Sequence, residues 1–243
     1  MTHPRHARPR AQLIARRSAL QSLLALAALG ALQRAHAVSF ADLTQKDATA
    51  GLKTALERGA GIAVDLLGRT DGFWANERVR IPLPEWLQRG ERALKLLGYG
   101  RDVDELKLGV NRAAEQAVPE SKALLTNAVK SMTVADARSI LSGGDTAITR
   151  FFADKTRAPL TERFLPIVTK VTNRIGLAQE YNALAAQGEK FGVVKGDQVR
   201  VERHVTGKAL DGLYFMIGEE ERKIRQDPIG TGSDILKKVF GGR

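Results

Sequence analysis

The spacing of apolar residues constrains this chain more than any other feature, because nearly all of it has the period of an α-helix. Near the start of the pattern, apolar side chains recur at three- and four-residue steps in the run Ala48, Leu52, Ala55, Leu56, Ile62 and Leu66. Thr44 and Asp47 resemble a capping box before this run, and Gly68 is a natural stop after it. We therefore expect one amphipathic helix of about six turns.

The same period predicts a succession of further helices along the chain. They cover about residues 85–97, 102–117, 119–131, 134–141, 146–156, 159–175, 177–187, 207–226 and 233–240. Thr133 and Asp145 are expected to begin two of these helices, and Pro166 to break or kink a third. Val193–Val194 and Val199–Val201 are candidate short strands. The predicted fold class is all-α, a single-domain multi-helix bundle with a short irregular or β segment near residues 191–205.

The first 37 residues have the pattern of an export signal. Residues 3–17 are rich in arginine and contain no acid, Ser18–Leu32 is uncharged and rich in Leu and Ala, and Ala35-His36-Ala37 follows. A membrane anchor needs roughly 20 apolar residues, so the shorter run here favours a cleaved signal. We expect cleavage after Ala37, a helical domain over 38–243 with no transmembrane segment, and a periplasmic location. Arg16-Arg17 partly resembles a twin-arginine signal, which leaves the export route open.

Charge and composition exclude several classes of function. The chain has a net charge of +11, but six of its 38 lysines and arginines and none of its 27 acids lie in residues 1–37, which leaves +5. Such a balance does not call for a nucleic-acid partner. The chain has no cysteine, and of its four histidines only His204 lies beyond residue 37, so we expect no multi-histidine or thiolate metal site. No cofactor motif is present, and we expect no cofactor.

Several blocks of sequence resemble a known family. They read DGFWANERVRIPLPEWL (71–87), NRAAEQAVPESKALL (111–125), ILSGGDTAITRFFADKT (140–156), FLPIV (164–168) and KALDGLYFMIGEEERKIRQDP (208–228). In this order they resemble the bacterial family catalogued as domain of unknown function 4197, over about residues 42–241. The resemblance implies an exported or envelope-associated protein, and it supplies no activity, substrate or catalytic residue.

The loop over residues 71–86 is the preferred candidate for a ligand or partner surface. It contains both tryptophans of a chain with only 5% aromatic residues, beside two arginines in a segment constrained by Pro82 and Pro84. Its candidate contact residues are Phe73, Trp74, Asn76, Arg78 and Arg80. Tryptophan and arginine are typical of interaction hot spots, and long ordered loops often carry function. The alternative is that Phe73 and Trp86 only attach the loop to the helical core.

Two polar sets on predicted helices are further candidates. Asn111, Arg112 and Glu115 lie on a helix otherwise lined by apolar residues, where they can bind a polar ligand or join two helices. Glu220 and Glu221 interrupt the apolar stripe of the 207–226 helix. They are either ligand-facing carboxylates or acids paired with neighbouring arginines.

A third stretch, Ser142-Gly143-Gly144-Asp145, precedes a predicted helix. It can expose amide groups to an anion, but Asp145 would repel a phosphate, and a glycine stop followed by an aspartate N-cap explains every residue.

Two functions of different classes remain. The first is a non-catalytic binding or interaction module that presents the 71–86 loop and the 111–115 face to an envelope protein or a small molecule. The second is an envelope hydrolase with paired carboxylates, Glu115 with Glu220 or Glu221. It requires these acids to meet at about 5–10 Å in a cleft.

Overall fold

The computed structural model describes residues 45–190 and 200–227, with side chains from Thr49 onward except those at 86, 177, 184 and 187–190. The described residues form eight α-helices and no strand, which confirms the all-α bundle. Their bounds are α1 Gln45–Leu67, α2 Glu85–Leu96, α3 Gly100–Ala117, α4 Ser121–Lys130, α5 Val134–Ser142, α6 Ala147–Thr172, α7 Gly176–Lys190 and α8 Val201–Gln226, with a 3-10 turn at Val118–Glu120 between α3 and α4.

The two longest helices, α6 and α8, pack against each other more extensively than any other pair of described helices. Each has 26 residues and so measures about 39 Å. Helices α1 and α3 pack on this pair, and α4 joins α1 and α6. Large side chains such as Phe152, Phe164 and Leu210 are fully buried between them, and one continuous apolar core results.

Helix α2, the first arm of the hairpin that it forms with α3, is little buried, whereas α3 lies in the core. Helix α2 packs mainly on α3, and Leu87 is its one fully buried side chain among those described. Gly98 makes the turn with a φ of 97°, in the left-handed region that glycine tolerates. Beside it, Leu96 and Leu97 are 82% and 73% exposed. The tip of this hairpin is therefore apolar and open to solvent.

The prediction of a break at Pro166 is wrong, and so is the division of residues 146–175 into two helices. Helix α6 continues through both Pro159 and Pro166. A proline inside a helix costs about 3 kcal/mol, because its N–H is missing and its ring crowds the carbonyl four residues earlier. Pro166 is exposed, so the carbonyl that it releases lies on the solvent side. The opposite face buries Leu160, Phe164 and Val168, and this burial outweighs the cost.

Three other predicted boundaries need correction. Asp145 does not cap α6, which begins at Ala147 after Thr146 and without a hydrogen bond from the Thr146 side chain. Helix α8 begins at Val201, so Val201–Val205 is helical rather than irregular or β. Residues 119–131 form a 3-10 turn followed by α4. The predicted signal, the segment 191–199 and the helix over 233–240 lie outside the described residues.

None of the described helices combines the length and apolar character needed to cross a membrane.

Candidate functional site

The loop between α1 and α2 follows a fixed, irregular path over residues 68–84. It leaves α1 through Gly68, and Asp71 has a φ of 67°, an uncommon value for a residue with a side chain. Gly72 packs directly on the last turn of α1, where a Cβ would collide with backbone carbonyls. Phe73 is fully buried and contacts Gly212 of α8. The structure thus places Phe73 in the core, where it attaches the loop to the bundle.

Glu115 of α3 anchors the start of this loop through hydrogen bonds to its backbone. Its side chain is buried, and Oε1 accepts hydrogen bonds from the backbone N–H groups of Phe73 at 3.0 Å and Trp74 at 3.1 Å. Its Oε2 accepts from Arg112 at 2.7 Å, and Arg112 also donates to Asp71 at 2.7 Å. The hydrogen bond to Glu115 raises the pKa of Arg112. A buried carboxylate with these partners is stabilised without a ligand.

Asn111 holds the end of the same loop. Its Oδ1 accepts from the N–H of Ile81 at 2.8 Å, and its Nδ2 donates to the carbonyl of Ile81 at 3.0 Å and to that of Lys107 at 2.8 Å. The side chain is fully buried. The 111–115 face is therefore directed at the backbone of the protein's own loop.

The outer face of the loop carries the aromatic and cationic side chains. The Arg80 guanidinium lies 5.3 Å from the centre of the Trp74 ring, and that of Arg78 lies 4.6 Å from the centre of Phe215 on α8. We call this the loop surface; it comprises Trp74, Asn76, Arg78, Arg80, Phe215 and Met216. All six are partly or fully exposed. A cavity of about 300 Å³ adjoins it, lined partly by Asn76 and Met216.

Residues of α8 complete the loop surface, and the sequence reasoning missed them. Arg78 forms an ion pair with Glu219 at 2.7 Å, and this hydrogen bond lowers the pKa of Glu219. Asn76 lies 4.0 Å from the sulfur of Met216. The spacing of Phe215 and Glu219 on one helical face was the available signal, but nothing in the sequence connects that face to the loop.

Glu221 has a structural role at the beginning of α6. Its Oε1 accepts from the N–H of Ile148 at 3.0 Å, and its Oε2 from the N–H and hydroxyl of Thr149 at 3.0 and 2.8 Å. Arg225 pairs with the same carboxylate at 3.0 Å. Glu221 thus supplies the cap that Asp145 was expected to give, and it occupies the helix N-terminus where an anion would bind.

Glu220 is also buried and forms an ion pair with Lys223 at 2.6 Å. Among the described side chains, no group of three or more His, Asp or Glu residues has the arrangement of a metal site.

The fold and the site define the class of this protein, a helical bundle with a surface loop anchored by buried polar side chains. The chain matches, over residues 42–241, the model of the family described as Protein of unknown function (DUF4197). Since the match covers most of the chain, the protein belongs to this family. Neither a curated protein nor a solved structure matches this chain.

Proposed function

We propose that this protein is an exported, periplasmic, non-catalytic interaction module that binds a partner protein of the envelope through its loop surface. The observation that carries the proposal is the anchoring of the loop by Asn111 and Glu115, whose hydrogen bonds are made to loop backbone. The first 37 residues have the pattern expected of an export signal, which supports the location.

An anchored loop is suited to binding because it loses little conformational freedom when a partner docks. The side chains that face outward are Trp, Arg, Phe and Met, the types enriched at the centres of protein interfaces. Arg78 is already paired with Glu219, whereas Arg80 lies over Trp74 and donates to its carbonyl. We expect the partner to offer an apolar group to Trp74 and Phe215, with an acceptor near Arg80.

The hydrolase alternative has less support in this geometry. A general acid or base must present its carboxylate to the substrate. Instead, both oxygens of Glu115 and both oxygens of Glu221 accept hydrogen bonds from the protein itself. The pairing of Glu115 with either acid of α8 therefore stays a prediction, and the binding function accounts for more of the observed contacts.

Site-specific photo-crosslinking in the cell tests the proposal. We would place a photoreactive phenylalanine analogue at exposed Ala75 of the loop, and as a control at exposed Arg163 of α6. We expect a discrete protein adduct in the periplasmic fraction from position 75 and none from position 163. Trp74→Ser with Arg80→Gln should reduce recovery of that partner by about tenfold or more.

Two results would count against the proposal. The first is the absence of an adduct at position 75, or the same adduct at both positions. The second is a cytoplasmic protein that retains its first 37 residues, detected by fractionation and N-terminal sequencing.

A further inference from the structure

A groove between α3 and α6 lies apart from the loop surface and shares no residue with it. It has a volume of about 550 Å³, is open to solvent, and is lined by Gln116, Pro166, Ile167, Lys170, Val171 and Arg174. This volume is within the range of about 300–1,000 Å³ that is typical of small-molecule sites.

The floor of the groove is apolar. Ile167 and Val171 are partly buried and pack against the main core, and the ring of Pro166 adjoins them. Ile167 and Val171 are four residues apart, so they lie on one face of α6. The floor can therefore cover part of a hydrocarbon chain.

The charged side chains of the groove all have one sign. Lys170 and Arg174 are exposed cations, no acid is among the described residues that line the groove, and neither cation forms an ion pair with a side chain that the structure describes. By contrast, a cavity between α5 and α6 includes both Asp154 and Lys155, and the cavity beside the loop includes both Arg69 and Asp71.

A position near the end of α6 partly explains these cations. Lys170 lies in the last turn, where a positive charge interacts favourably with the helix dipole. The helix dipole explains Lys170, but it does not explain Arg174, which lies beyond the helix end, and it does not explain the apolar floor between α3 and α6. The combination points to a ligand that has a negative charge at one end and an apolar body.

We propose that this groove binds a single-chain carboxylate amphiphile, that is, a fatty acid. Its carboxylate contacts Arg174 and Lys170, since a guanidinium donates two parallel hydrogen bonds to a carboxylate. The amide of Gln116 offers a further donor at the rim. The hydrocarbon chain lies over Pro166, Ile167 and Val171. This activity is independent of the partner surface on the loop.

Calorimetric titration of the full chain with decanoate below its micellar concentration tests the proposal. Acetate has the head without the tail, decanol the tail without the charge, and decyl phosphate a different anionic head. We expect saturable binding of one decanoate, with acetate and decanol each weaker by about tenfold or more. Bound [1-13C]decanoate should also show a lowered carboxyl pKa, because adjacent cations favour its charged form.

Matched variants assign the binding to the groove. The double variant Lys170→Gln with Arg174→Gln should weaken decanoate binding by about tenfold or more and remove the pKa shift. Arg163→Gln removes an exposed cation of the same helix outside the groove and should change affinity less than about twofold. Ile167→Ser should weaken the binding of decanoate without altering any charge. Circular dichroism would verify that each variant is folded. Should Ile167→Ser not fold, Val171→Thr replaces it.

Several outcomes would overturn the proposal. The first is that decanoate shows no saturable binding, and the second is that acetate binds as tightly as decanoate. The third is that Arg163→Gln weakens decanoate binding as much as the double variant does. The fourth is that decyl phosphate binds tightly while decanoate does not bind. The loop variant Trp74→Ser with Arg80→Gln should bind decanoate normally. Failure of the groove and failure of the loop surface are thus distinguished.

Discussion

At the scale of single residues, the most informative side chains are two buried glutamates that serve the backbone. Glu115 and Glu221 each accept main-chain hydrogen bonds from segments far away in sequence, and each is paired with an arginine. A hydrogen bond to a charged group contributes about 1.5–3 kcal/mol, more than a neutral one. These acids therefore connect elements that the apolar core alone would position less firmly.

Glu115→Gln tests this role. The amide keeps the shape of the side chain but loses the charge that Arg112 and two N–H groups share, so we expect a loss of about 1–3 kcal/mol in the free energy of unfolding. Urea denaturation followed by tryptophan fluorescence measures it. Glu105→Gln, at an exposed position of the same helix, should change stability by less than about 0.5 kcal/mol. Equal effects of the two substitutions would contradict the role given to Glu115.

The contact between Phe73 and Gly212 leads to a second prediction. A Cβ at position 212 would lie 2.7 Å from the Phe73 ring, so Gly212→Ala should destabilise the protein by about 1–3 kcal/mol. Gly207→Ala is the matched control, because the same helix has open space at that position and alanine favours the helix by up to about 1 kcal/mol. Thermal unfolding of the two variants should shift in opposite directions. A stabilised Gly212→Ala would show that Phe73 can move away at little cost.

At the scale of elements, helix identity could be predicted far better than helix limits. The three- and four-residue period located every described helix, and Thr133 was correctly identified as the start of α5. Local rules failed where distant packing decides the outcome. Pro166 continues α6 because the buried face outweighs a local penalty, and α6 is capped by Glu221 from 73 residues away rather than by adjacent Asp145.

The same reason limited the prediction of the candidate site. The sequence indicated the loop, its Trp74 and Arg80, and the polar 111–115 face. It could not show that Asn111 and Glu115 are directed at the loop, because their partners are 30 and about 40 residues away. Nor could it bring Phe215 to Arg78, which depends on how α8 crosses the bundle.

The capping box of α5 predicts a dependence on pH. Hydrogen bonds from the Thr133 backbone and hydroxyl lower the pKa of Asp136 below its ordinary value. The carboxylate therefore contributes stability above the pKa of the unfolded chain, about 3.9, and this contribution is lost as pH falls through the lower folded value. Thr133→Ala should raise the pKa of Asp136 and cost about 1 kcal/mol at neutral pH.

Carboxyl 13C titration and urea denaturation at pH 7 and pH 3 would measure these effects. The cost of Thr133→Ala should be smaller at pH 3 than at pH 7, because the contribution of the Asp136 carboxylate is lost as the pH falls toward its lowered folded pKa. Thr161→Ala removes an exposed hydroxyl inside α6 and should leave the titration of Asp136 unchanged. A pKa of Asp136 that does not move in Thr133→Ala would contradict the capping explanation.

At the scale of the whole molecule, the described core is built from helices that start well after the predicted signal. Its first member is Leu52, and the described helices belong to one compact unit. We therefore expect a chain of residues 38–243 to unfold in one cooperative transition with the helical content of a bundle. Circular dichroism and calorimetry would measure this. Two separate transitions would contradict the prediction of a single domain.

The hairpin of α2 and α3 has a consequence for how the molecule opens. Because α2 packs mainly on α3 and buries little, it can detach at a lower free energy than unfolding of the bundle requires. Its amides should exchange with deuterated water much sooner than those of α6 or α8. Among the described residues, trypsin should first cut beside Arg92, Lys95 or Arg101, next to the exposed Leu96 and Leu97, and leave a nicked protein whose remaining helices stay assembled.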